Sequence, residues 1–93
     1  MNREEARQVL AQVVSRYQAR TYDDLLYLLD APDTSDITAE SGTNYQLEVQ
    51  AVWDDEEGGS LRVVGSIDDG GLRAFLPITE DFVVDRSANS VGE

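Results

Sequence analysis

The apolar residues change their period partway along this 93-residue chain, and the change predicts an α+β fold. The expected architecture is two N-terminal helices packed on one face of a four-stranded antiparallel meander sheet. Up to residue 29 the apolar positions recur at helical spacing, and from Asp36 onward they alternate. Glycine- and acid-rich breaks cut the alternating part into strands that pair with apolar opposite apolar. A single domain over residues 1–86 is expected, with 87–93 as a loose tail.

The first helix is predicted over about 3–19. Ala6, Val9, Leu10, Val13, Val14 and Tyr17 form one apolar stripe, and Asn2 with Glu5 three residues later fits a capping box. Arg7 and Arg16 flank the stripe, and the far side is the uncharged set Gln8, Ala11, Gln12, Ser15 and Ala19. A second helix is predicted over about 22–29, capped by Thr21, with Asp23 and Asp24 at its positive end and Pro32 beyond it. Its Leu25, Leu26, Leu28 and Leu29 are too many for a narrow stripe, so the core should almost engulf it.

Strands are expected at about 36–40, 44–54, 60–68 and 72–84. In the second, Tyr45, Leu47, Val49, Ala51 and Trp53 alternate with polar residues, so Tyr45 and Trp53 belong to the covered face. A turn at Ser41, Gly42 and Thr43 would pair Ala39 with Tyr45. A turn at Glu56, Glu57 and Gly58 would pair Trp53 with Leu61. A loop from Asp68 to Gly71 would pair Ile67 with Leu72, Val64 with Phe75 and Leu61 with Ile78, and would set Glu80 opposite Gly59. Pro77 marks the last strand as an edge, because proline donates no amide.

The runs "YQLEVQAVWDD", "LRVVGSIDDGG" and "RAFLPITEDF" resemble a small bacterial protein family of unassigned function. The resemblance covers about residues 20–93, including the closing "VGE", with Leu72 where the family often has an aromatic residue. It implies the fold above and no activity, cofactor or catalytic residue.

Composition removes much familiar chemistry. Cysteine and histidine are absent, which excludes disulfides, a thiol nucleophile, an imidazole base and the commonest transition-metal ligands. All seven cations are arginine, so no Schiff-base or phosphate-loop lysine exists. We therefore expect no enzyme and no cofactor. The net charge of −12 is uneven: residues 1–20 hold four arginines against two glutamates, and the remainder holds three arginines against 17 carboxylates. Such a surface repels nucleic acid and anionic membranes and suits a basic partner, cations or a salt-rich environment. No run is long enough for a membrane span and the first residues are unlike a signal peptide, so a cytoplasmic location is expected.

Two kinds of site follow. The acidic tip Asp68-Asp69-Gly70-Gly71 reads as a turn, because the ligand spacing of a calcium loop does not follow it. Asp54, Asp55, Glu56, Glu57, Glu80 and Asp81 would gather at the opposite rim, either as a solvated acidic loop or as a weak Ca²⁺ or Mg²⁺ site. On the open sheet face, Val64 and Phe75 with Arg62 and Arg73 form a candidate partner patch; the helix face of Gln8, Gln12 and Ser15 is another. The expected function is a non-catalytic, acidic protein-interaction module, either a homodimer or an inhibitor or immunity-type protein that binds a basic partner. A small-ligand or divalent-cation carrier is the alternative.

Overall fold

Asn2 starts the first helix as expected: its side-chain oxygen accepts the Glu5 amide at 3.0 Å. The helix, α1, spans Arg3–Gln18 and buries Ala6, Leu10, Val13 and Val14, with Val9 and Tyr17 half-buried beside them. A computed structural model describes residues 2–70 and 77–86. Among the described residues four strands follow the helical part, β1 (Asp33–Thr38), β2 (Asn44–Trp53), β3 (Leu61–Asp68) and β4 (Ile78–Val84). They form one antiparallel sheet in the order β1-β2-β3-β4, so β1 and β4 are its edges. One face of β2 and β3 is sealed from solvent and the other is not.

The second helical segment is shorter than its leucines suggested. It is one α turn, α2 (Tyr22–Leu25), capped by Thr21 accepting the Asp24 amide at 3.2 Å, followed by a 3₁₀ turn over Leu26–Leu29. Tyr22, Leu25 and Leu28 are all buried, and they are spaced by three. A 3₁₀ turn stacks residues at that spacing, so the tighter winding carries Leu28 inward behind Leu25. Leu26 and Leu29 are half-buried and Tyr27 faces solvent.

Pairing between β2 and β3 is as expected, with Trp53 opposite Leu61, Ala51 opposite Val63 and Leu47 opposite Ile67. The other two registers differ. Gly42 adopts φ +92°, its amide donates to the Ala39 carbonyl, and the Ala39 amide donates to the Thr43 carbonyl. The turn therefore closes over Glu40–Gly42, and Ile37, not Ala39, lies opposite Tyr45. The slip is two residues, so every side chain keeps its face. It also lets the strand begin at Asp33, opposite Val49.

The β3–β4 pairing departs further. Ile67 lies opposite Ile78 and Leu61 opposite Val84, so Val64 meets Asp81, Arg62 meets Val83 and Glu80 meets Gly65. The expected pairings of Leu72, Phe75 and their neighbours fall outside the described residues, as does the tail. A short hairpin would have left Phe82 and Val84 running past the start of β3. The observed register sets both against the core, with Ile78 buried. β4 is an edge of the described sheet, but Pro77 lies just before the strand and not within it, so its missing amide is not what leaves that edge unpaired.

Gly65 explains how closely α1 approaches. A Cβ at that position would lie 3.0 Å from Val14 Cγ2 and 3.2 Å from Leu10 Cδ1. The helix side chains occupy the space a larger residue on β3 would need.

Candidate functional site

The uncovered face of the sheet carries the candidate site. Cross-strand registration places Val52, Arg62 and Val83 in one row across β2, β3 and β4, with Gln50, Val64 and Asp81 in the next. Val52 and Val83 are 47% and 44% exposed, while Val64 is half-buried between its neighbours. Alternation alone puts them there: Val52, Val64 and Val83 each follow or precede a core residue, so they must face away from it.

Arg62 holds this patch together. Its Nε donates to Asp54 Oδ1 at 2.8 Å, its Nη2 lies 2.6 Å from the same oxygen, and its Nη1 donates to Asp81 Oδ2 at 2.6 Å. The carboxylates, Asp81 first and Asp54 second, push the arginine pKa above its already high value. Its charge is thus committed within the chain, and the patch as a whole is negative. The guanidinium braces two strands and a loop while its side chain stays 39% exposed on the open face. Arg73 and Phe75 lie outside the described residues.

Beside the patch, a depression of about 340 Å³ opens on the same face, lined by Thr34, Asp36, Gln46, Glu48, Ser66 and Asp68 among others. Asp36, Gln46 and Asp68 form one row across β1, β2 and β3, with Thr34, Glu48 and Ser66 in the adjacent row. Asp68 also accepts the Gly70 amide at 2.7 Å, which is the aspartate turn expected of that tip.

The acidic rim expected at the other end does not assemble as drawn. Asp54, Asp55, Glu56 and Glu57 are exposed around the β2–β3 turn, but Glu80 lies opposite Gly65, well inside β3 and not at Gly59. Asp81 reaches Asp54 only through Arg62. Among the described residues no group of three or more carboxylates is placed to hold a metal ion.

Gln8 and Gln12 belong to a different feature. With Val9, Val13 and Arg16 of α1 and Ile37, Thr38, Ala39 and Glu40 of the β1 region, they line a groove of about 360 Å³ between helix and edge strand. Ser15 is exposed and turned to its own helix, donating to the Gln12 carbonyl at 2.9 Å.

Two polar clusters tie the helical part to the sheet, and neither was legible in the sequence. In one the Glu5 carboxylate accepts Ser41 Oγ at 2.8 Å and Tyr45 Oη at 2.9 Å, which holds its pKa below 4.5, the Ser41 bond acting most and Tyr45 next. In the other, Tyr17 donates to Asp33 Oδ2 at 2.8 Å and Tyr27 donates to the same oxygen. Arg20 donates to Tyr27 Oη at 2.9 Å and stacks 4.3 Å from the Tyr17 ring centre. Burial first, and then the Asp33 bond, push the Tyr17 pKa up to about 12. Tyr22 is buried and donates to the Gly59 carbonyl at 2.7 Å, which ties the start of α2 to the β2–β3 turn.

Compared with protein-family models, characterised proteins and solved structures, the chain matches none. No helix among the described residues is long and apolar enough to cross a membrane.

Proposed function

We propose that this chain is a non-catalytic, acidic interaction module whose open sheet face binds a basic protein. One observation carries the reading: Val52, Val64 and Val83 surround the paired Arg62 and are bordered by Asp54 and Asp81, with Glu48, Asp68 and Asp36 in the rows beyond on the same face. An apolar centre with a polar rim is the usual anatomy of a protein interface, and the sign of the rim selects the partner. A basic enzyme held inactive by this face, in the manner of an inhibitor or immunity-type protein, is the form the reading takes. The absence of histidine, cysteine and lysine supports a module that binds without catalysing.

The test compares the wild-type chain with Val52→Lys/Val83→Lys, which removes the apolar centre and opposes a basic partner. Both positions are exposed, so the fold is retained. Tagged chains are incubated with lysate at near-physiological salt. A basic protein retained by the wild type and lost with the variant supports the reading. Equal retention by both, or retention of acidic proteins, refutes it.

A further inference from the structure

The edge strand β1 lies between the two depressions. Its Ala39 end is hydrogen-bonded to the Thr43 carbonyl, and the antiparallel ladder alternates from there. The amides and carbonyls of Ser35 and Ile37 therefore face β2, and those of Thr34, Asp36 and Thr38 face outward. No described strand pairs with that outer edge. On the helix side of β1 lies the groove floored by Val9, Val13, Ile37 and Ala39. On its other side lies the acidic depression containing Asp36 and Glu48.

From this arrangement we infer that β1 accepts an extended segment of a partner by strand addition, and that the segment alternates aliphatic and basic side chains. The inference rests on the reading of the chain as a module for basic partners and names the partner's form. A strand added to an edge lies about 4.8 Å away and sends successive side chains to opposite faces. Those on the helix side stand beside Ile37, at the outer side of a groove that sets Val9, Val13, Ile37 and Ala39 among Glu5, Gln8, Gln12, Arg16 and Glu40, and the neighbouring Ile37 suits valine or isoleucine. Those on the open side fall next to Asp36, with Glu48 one strand further in, within the reach of arginine or lysine.

Charge argues for this occupant over a second copy of the chain. The β1 region bears Asp33, Asp36 and Glu40 and no cation. Antiparallel self-pairing centred on the outward Asp36 would set that carboxylate against its own counterpart, and like charges directly opposite destabilise a sheet. The other edge is guarded differently. On β4, Glu80 shares the helix-side face with Ile78 and Phe82, an inward-facing charge of the kind that discourages edge pairing.

The experiment uses the full chain, ¹⁵N-labelled, and three blocked octapeptides: alternating Arg-Val, the same composition as an Arg block followed by a Val block, and alternating Glu-Val. Expected are binding of the alternating Arg-Val peptide and slowed amide exchange at Thr34, Asp36 and Thr38. Asp36→Lys should weaken binding about tenfold or more, and Asp36→Asn less. Equal binding of the block peptide, with shifts spread over Val52, Val64 and Val83 and no exchange protection on β1, overturns strand addition and leaves the basic-partner reading standing. Binding of the Glu-Val peptide at equal strength overturns the charge argument. No binding of either cationic peptide overturns strand addition; the basic-partner reading then stands or falls on the lysate comparison above.

Discussion

Replacing Gly65 with valine tests the packing of α1 on the sheet. The first added carbon would sit 3.0 Å from Val14 Cγ2 and 3.2 Å from Leu10 Cδ1, closer than carbon atoms rest comfortably. The two further methyl groups have no vacant space, because Leu10 and Val14 are themselves buried to within 1% and 2% of complete. Overpacking of this kind costs about 1–3 kcal/mol, and valine's preference for strands over glycine offsets up to about 1 kcal/mol of it. A net loss of about 1–2 kcal/mol is expected, which lowers the melting temperature of a domain this size by about 4–16 °C. Urea unfolding should show a lower midpoint with an unchanged slope. Leu10→Ala alone should cost about 2–5 kcal/mol by leaving a cavity. In the double variant the valine fills part of that cavity, so the two costs should fall short of additive by about 0.5 kcal/mol or more. Strictly additive costs, or a Gly65→Val variant more stable than the wild type, would refute the close approach of α1 to β3.

Two further outcomes concern the polar clusters that tie the helical part to the sheet. Glu5 has its pKa lowered in the fold, so its contribution is present above the ordinary value of 4.5 and disappears as pH falls through the lower folded value. Urea midpoints measured across the acidic range should therefore converge for the wild type and Glu5→Gln at low pH and separate toward neutrality; a constant gap would refute the assignment. Tyr17 is raised from 10.0 to about 12, so its contribution is intact below 10 and lost as pH rises through that window. Ultraviolet titration should show delayed phenol ionisation that Tyr17→Phe diminishes, with a stability loss of about 1–2 kcal/mol at neutral pH from the missing bond to Asp33.

Of the candidate site, the sequence disclosed which residues face away from the core but not which of them meet. Val64 and Arg62 were assigned to the open face by alternation alone, and that holds in the fold. Their neighbours differ from those the short hairpin predicts, because Val83 and Asp81 take the places opposite Arg62 and Val64 once β4 slides along β3. The groove was invisible: Gln8 and Gln12 were marked as an uncharged helix face, and only the placement of β1 beside α1 gives that face an apolar floor.

The sequence by itself determined the first helix and its cap at Asn2, the presence of β1 to β4, the covered and open faces of β2 and β3, and the β2–β3 register. Each of these depends on local spacing, and a shift of a single residue would turn a whole strand inside out. Tertiary structure decided what such a parity rule cannot. Slips by an even number of residues keep every face, so the β1–β2 and β3–β4 registers were chosen by the Gly42 turn and by the burial of Ile78, Phe82 and Val84. The Arg62 clamp, the Glu5 bridge and the Tyr17–Asp33–Tyr27 cluster join residues far apart in the chain. No local spacing encodes them, because they exist only once helix and strands are packed.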